Sequence, residues 1–176
     1  MLEKNEIIQS ALRNLKIEEL NPMQEASLEQ ATGRKDVILL SPTGSGKTLA
    51  YLLPLLLTLK PNDDSVQVLI LVPSRELALQ IDSVFKAMGT SWKTCCCYGG
   101  HPIAEEKKSI LSNHPAIIIG TPGRITDHLS KGNFNPETIE TLIIDEFDKS
   151  LEFGFHDEMA EIITPVSYTH LRAHET

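Results

Sequence analysis

Short apolar runs alternate along this chain with stretches whose apolar positions recur every three or four residues. Five runs read as strands: Val37–Leu40, Val66–Val72, Lys93–Tyr98, Ala116–Ile119 and Thr141–Ile144. Most are rich in Val, Ile and Leu and almost continuous, which suits strands covered on both faces. Helical periodicity predicts helices over Lys4–Asn14, Pro22–Thr32, Lys47–Leu59, Arg75–Met88, Ile103–Ser112, Ile125–Ser130 and Phe155–Ile163. Turn-forming clusters separate them, among them Pro61–Asp64, Gly99-Gly100 and Lys131–Pro136. Strands that alternate with helices imply a parallel sheet sandwiched between helices, an α/β domain of three layers.

Composition narrows this picture without changing it. Of 176 residues 41% are hydrophobic and 23% charged, enough apolar material for one buried core. The richest apolar run, Leu49–Leu59, is broken by Pro54 and falls short of the roughly 20 residues a membrane span needs. Met1–Glu6 lacks the basic-then-apolar order of a secretory leader, so a cytoplasmic protein is expected. The three cysteines, Cys95, Cys96 and Cys97, are consecutive. Neighbours on a strand point to opposite faces, so the triplet alone cannot form a tetrahedral metal site, and small core residues are expected. His101, His114, His128 and His156 show no ligand spacing and read as surface or loop residues, and Trp92 reads as core. A net charge of −8 is the opposite of what a broad basic face for nucleic acid usually gives. Any such contact must be local, made by a few Arg or Lys side chains and by backbone amides.

The last eleven residues, Val166–Thr176, resemble the in-frame translation of a transposon-derived sequencing adapter. Residues 1–165 are therefore expected to be the domain and 166–176 an artefact, with the gene cut off at the end of a read. On that reading the His170 and His174 pair at i, i+4 is no metal site.

Candidate chemistry begins at Ser41-Pro42-Thr43-Gly44-Ser45-Gly46-Lys47-Thr48, between a predicted strand and a predicted helix. That order is the one a phosphate loop needs. Gly44 and Gly46 permit a tight turn with inward N–H groups, and the positive end of the following helix adds to the anion site. Lys47 is expected to reach the β and γ phosphates, and the Thr48 hydroxyl to coordinate Mg²⁺. Ser41 occupies the position where the general pattern has glycine. Thr141–Ile144 then runs into Asp145 and Glu146. A buried strand ending in an acid puts Asp145 at the carboxyl edge of the sheet, where it can hold Mg²⁺ through its water shell. Glu146 is placed to orient or polarise a water for attack on the γ phosphate.

Further segments follow in a telling order: Leu71-Val-Pro-Ser-Arg-Glu-Leu-Ala78, Gly99-Gly100, Thr121-Pro-Gly-Arg124 and Asp145-Glu-Phe-Asp148. Together with the phosphate loop this set resembles the first RecA-like motor domain of DEAD-box RNA helicases, across nearly all of residues 7–163. The resemblance implies that Gln24 in Asn21-Pro-Met-Gln24 reads the adenine edge, so that the nucleotide is ATP held with Thr43, Gly44, Ser45, Gly46, Lys47 and Thr48. It implies that Pro73, Arg75, Gly99, Gly100, Thr121, Gly123 and Arg124 touch an RNA sugar-phosphate backbone of any sequence. Asp148 would couple ATP state to a later motif. A second RecA-like domain, which this sequence lacks, would supply the arginine finger. A monomer without membrane association is implied.

Several positions depart from the family pattern. Leu20 stands where proline is common and Asn21 where Ser or Thr is, and the opening Gly-aromatic pair is missing. Ser74 replaces a threonine. Phe147 replaces the alanine of the motif's name and is expected to pack into the domain. Two alternatives remain at this stage, a DNA helicase or other two-domain P-loop motor and a non-catalytic ATP- or RNA-binding module.

Overall fold

The computed structural model describes the backbone of residues 2–30 and 36–174, and side chains over 6–30 and 36–166. Eight helices and four strands occur among these residues. They are α1 (Leu2–Leu15), α2 (Pro22–Gln30), α3 (Lys47–Thr58), β1 (Val68–Leu71), α4 (Arg75–Ala87), β2 (Thr94–Cys97), α5 (Ile103–Asn113), β3 (Ile117–Gly120), α6 (Pro122–Ser130), β4 (Thr141–Ile144), α7 (Phe147–Glu152) and α8 (His156–His174). A single 3₁₀ turn lies at Pro136–Thr138. The chain forms two compact units, one of residues 1–61 and 84–91, the other of residues 62–83 and 92–176.

In the first unit α1, α2 and α3 pack together through Ile8, Ala11 and Leu12 on α1 and Ala50, Leu52, Leu53, Leu55 and Leu56 on α3. Pro54 lies inside α3 and has no N–H, so the Ala50 carbonyl loses its usual partner four residues on. The Ser27 hydroxyl from α2 donates to that carbonyl instead. A buried acceptor is thereby satisfied, and α2 is pinned to α3 at the point where the proline opens it.

The second unit is built on a wholly parallel sheet of order β2-β3-β1-β4. The register aligns Cys97, Gly120, Leu71 and Ile144, so all four strands end at one level. β1 and β3 are completely buried, whereas each residue of the equally apolar edge strand β4 is half-buried. One face of the sheet joins Leu69, Leu71, Cys95, Cys97 and Ile118 with Ile110 of α5, Ile125 of α6 and Ile162 and Val166 of α8. On the other face the first turns of α4 meet β2, where the Thr94 hydroxyl bonds Asp82 and Cys96 Sγ lies 3.7 Å from the Ala78 carbonyl. Helices therefore flank the sheet on both sides, as the alternating pattern predicts.

One predicted strand does not form. Val37–Leu40 pairs with no strand, and Val37, Ile38 and Leu40 are 51%, 84% and 90% exposed. An apolar run becomes a strand only where a neighbour completes its hydrogen bonds and other elements cover its faces. Neither condition is met at these residues. Elsewhere the boundaries shift. α6 begins three residues before the predicted Ile125, because Thr121 in extended conformation precedes Pro122, whose fixed φ suits a first helical position. The α7 helix after the acidic pair is not predicted, and α8 runs well beyond Ile163. Residues 31–32 of the second predicted helix lie outside the described residues. Cys96 and Trp92 are half-buried, whereas Cys95 and Cys97 are core.

Candidate functional site

In the first unit the phosphate loop leads directly into α3. Gly44 and Gly46 have φ of 81° and 84°, left-handed values that L side chains rarely adopt. The Ser45 N–H bonds the Pro42 carbonyl at 3.3 Å, and the Ser41 and Ser45 hydroxyls bond each other. Gly46 is the N-cap of α3 and no side chain caps the helix, so its first-turn N–H groups and positive dipole end present an anion-attracting cradle. Lys47 and Thr48 open the helix, both half-buried. Thr43 and Gly44 are exposed, and Ser45 is half-buried.

Asn21 and Gln24 hold this loop from below. The Gln24 N–H bonds Asn21 Oδ1 and the Asn21 N–H bonds Gln24 Oε1, each at 3.0 Å, a reciprocal capping box at the start of α2. The remaining functions of both amides reach the loop: Asn21 Nδ2 donates to the Ser45 carbonyl at 2.9 Å and Gln24 Nε2 to the Gly46 carbonyl at 3.2 Å. Gln24 is thus buried and engaged on both amide atoms. Both of its amide atoms are spent on the α2 cap and the loop.

In the second unit the motif segments converge because the sheet is parallel. Val72-Pro73 follows β1, Gly99-Gly100 follows β2, Thr121 follows β3 and Asp145 follows β4, all from the carboxyl edge where open α/β sheets bind ligands. The Asp145 N–H continues the ladder to the Leu71 carbonyl at 3.0 Å. Its Oδ1 accepts the Glu146 N–H at 2.9 Å. Glu146 turns the chain with φ of 50° into α7, and its Oε2 pairs with Lys149 Nζ at 3.1 Å. Asp148 is exposed in the first turn of α7. Phe147 is 49% exposed and does not pack into the domain as expected, because the left-handed Glu146 aims the start of α7 outward. A carboxylate at this edge is a hard oxygen ligand of the kind Mg²⁺ takes, and a loop with open N–H groups is of the kind phosphate takes.

Of the residues assigned to RNA, Arg75 is exposed, with its guanidinium 5.1 Å over the Tyr98 ring. Gly99 and Gly100 are exposed, Thr121 and Gly123 half-buried, and Pro73 buried. Arg124 is turned inward, its side chain 12% exposed, with Nη2 donating to the His101 carbonyl at 2.8 Å.

Two buried residues lie beneath these loops, Glu106, which no sequence motif marks, and His128. Glu106 on α5 is 3% exposed, and its Oε1 accepts the Tyr98 N–H at 2.9 Å and lies 2.8 Å from His101 Nε2. Its Oε2 lies 2.6 Å from Nε2 of His128, which is completely buried and not the surface histidine expected. Cys97 also converges here, so that thiol, carboxylate and imidazole atoms fall within 4.8 Å of one another. A hydrogen bond with Cys95, together with burial and the nearby Glu106 charge, pushes the Cys97 thiol far above its ordinary value. Within this cluster Glu106 is joined directly to His101 and His128, and Cys97 packs beside them.

A phosphate loop opening a helix, together with a parallel sheet whose carboxyl edge gathers an Asp-Glu pair and glycine-rich turns, defines an α/β nucleoside-triphosphatase domain. The DEAD/DEAH box helicase family model matches residues 21–174, and the chain belongs to that family. The protein named DEAD-box ATP-dependent RNA helicase CshA from Bacillus cereus (strain ATCC 10987) is 36% identical over 162 residues, covering 91% of this chain and 31% of that protein. Its namesake from Bacillus subtilis (strain 168) is 32% identical over 165 residues, covering 93% and 33%. A hypothetical ATP-dependent RNA helicase from Sulfolobus tokodaii superposes with a TM-score of 0.82 at 32% identity, covering 93% of this chain and 47% of that one. The chain thus spans about a third of the length of these curated relatives. No described helix is long and apolar enough to cross a membrane.

Proposed function

We propose that this chain is the ATP-binding and RNA-backbone-binding motor domain of an ATP-dependent RNA helicase, which remodels RNA duplexes or RNA–protein complexes together with a second RecA-like domain. The observation that carries the reading is the emergence of Pro73–Arg75, Gly99-Gly100, Thr121–Arg124 and Asp145–Asp148 from one sheet edge. In this reading the α3 N-terminus and the Gly44 and Gly46 backbone hold the phosphates, Lys47 neutralises their charge, and Gln24 keeps the loop in its binding shape. Thr48 and Asp145 hold Mg²⁺, which when bound shields the phosphate charge. Glu146 orients the attacking water and accepts its proton. Arg75 and the glycine amides contact phosphates without reading bases, so the bound RNA carries no sequence requirement. Asp148, exposed beside the acidic pair, relays nucleotide state to the second domain, which supplies the arginine finger.

The test is ATP turnover by the intact protein with single-stranded RNA, duplex RNA and duplex DNA. Stimulation by RNA alone supports the reading. Stimulation by duplex DNA alone would assign a DNA motor, and turnover indifferent to every nucleic acid would overturn the RNA assignment.

A further inference from the structure

We infer that Glu106 is a positioning residue that sets the Gly99-Gly100 turn and the Thr121–Arg124 turn in one geometry, so that RNA affinity depends on a carboxylate that never touches RNA. The inference rests on the RNA reading above. The nitrogen groups around this side chain flank the Gly99-Gly100 turn or belong to the Thr121–Arg124 turn and the helix it opens. Oε1 takes the Tyr98 N–H at the end of β2 and faces His101 just past Gly100. Oε2 faces His128 of α6 and, at 3.8 Å, Nε of Arg124. A second link closes the ring, since Arg124 Nη2 donates to the His101 carbonyl. The Tyr98 ring meets His101 edge-on with centroids 4.8 Å apart and carries Arg75 over its face. One carboxylate therefore organises the elements that follow β2 and β3 and, through Tyr98, the arginine that follows β1.

The proton arrangement is fixed by the acceptors. An ionised carboxylate only accepts, so His128 Nε2 carries its hydrogen toward Glu106. His128 Nδ1 then accepts from Asn133 Nδ2 at 2.9 Å. The charged and titratable groups facing Glu106 are thus His101, Arg124, His128 and the Cys95 and Cys97 thiols. Of these, His101 and His128 lie within hydrogen-bond distance of it, and Arg124 stands off at 3.8 Å. A neutral glutamine of the same length keeps the acceptor for Tyr98 and His101. Its amide NH₂ fits His128 only if that ring moves its hydrogen to Nδ1 and Asn133 turns its oxygen to receive it.

The experiment compares Glu106→Ala and Glu106→Gln in the intact protein, reading affinity for a labelled single-stranded RNA, affinity for ATP, and the ¹⁵N shifts of His128. The expectation for Glu106→Ala is RNA affinity weaker by about tenfold with ATP affinity unchanged, because several buried donors lose a charged acceptor. Glu106→Gln is expected within about threefold of wild type, with His128 as the Nδ1–H tautomer. RNA affinity that is unchanged in Glu106→Ala, or that falls in step with ATP affinity, overturns the inference. If Glu106→Ala does not fold, the Glu106→Gln spectrum decides: a tautomer switch supports the network and an unchanged ring overturns it. If the wild-type protein binds no RNA, the RNA reading falls by itself. Amide exchange at Tyr98 and Ile125 then decides the positioning role, faster at both in Glu106→Ala supporting it and unchanged overturning it.

Discussion

Gln24 and Gly46 fit each other closely. Gln24 Nε2 donates to the Gly46 carbonyl, and a Cβ placed on Gly46 would stand 2.5 Å from that same nitrogen. The glycine also holds φ of 84°. Its requirement is therefore double, a left-handed backbone and a close approach by the amide that clamps the loop.

Gly46→Ala is accordingly expected to cost about 1–2 kcal/mol for the backbone conformation, plus displacement of Gln24. The loop would lose its shape together with its clamp, so ATP affinity should fall by more than about tenfold, the equivalent of 1.4 kcal/mol. Gly44→Ala, with the same sign of φ but nothing within 4 Å of the added carbon, is the control. Thermal unfolding and nucleotide titration of the two variants separate strain from collision. Equal losses in both would mean that the Gln24 contact contributes nothing.

Of the two elements that flank the Ser41–Thr48 segment in the sequence reading, the following helix forms as α3 from Lys47 and the preceding strand does not. Thr141–Ile144 is the observed β4 residue for residue. Val37–Leu40 was misread because a run of apolar residues encodes its own faces but not the neighbour that completes its ladder. Glu106 and His128 were missed for a different reason. Ile103, Glu106 and Ile110 share one face of α5, and Ile125, His128 and Leu129 share one face of α6, so periodicity already marked both polar residues as inward-facing. Metal-ligand spacing is silent about such a buried pair, whereas helical periodicity is not. The other function of Gln24, as half of a capping box with Asn21, was also written in the sequence as Asn-x-x-Gln.

Glu146 pairs with Lys149 at 24% and 49% side-chain exposure, so that ion pair contributes little to folding. Glu146→Gln should leave stability within about 0.5 kcal/mol and ATP affinity nearly unchanged. RNA-stimulated turnover by the intact protein should fall about 100-fold or more, the usual loss when a positioned proton acceptor is removed. Unchanged turnover would remove Glu146 from the chemistry.

Gly120 ends β3 where the strand meets both its neighbour and α6. A Cβ there would lie 2.6 Å from the Cys97 carbonyl and 2.5 Å from Ile125 Cδ1. The isoleucine can rotate, but the carbonyl belongs to the ladder that Thr121 completes by donating to it at 3.0 Å. Gly120→Ala is therefore expected to destabilise the protein by about 1–3 kcal/mol, measured by urea unfolding. The Thr121–Arg124 turn should move with it, weakening RNA binding more than ATP binding.

Arg75 and Arg124 separate into two kinds of arginine, although their motifs read alike. Arg75 is exposed and its guanidinium lies over the Tyr98 ring, so truncation removes a displayed charge and a contact worth about 0.5–1 kcal/mol. Arg75→Ala should leave the unfolding midpoint almost unchanged, weaken RNA binding evenly across sequences, and lower the salt dependence by about one phosphate. Arg124 is the inward-turned cation 3.8 Å from Glu106, and its loss removes that charge and leaves the His101 carbonyl short of a donor. Arg124→Ala should therefore destabilise the fold by about 2–3 kcal/mol, with weaker RNA binding following from the displaced turns. Paired denaturation and RNA titrations at several salt concentrations test the division. An Arg124→Ala protein as stable as wild type, with a salt slope reduced like that of Arg75→Ala, would show that Arg124 turns outward to meet phosphate.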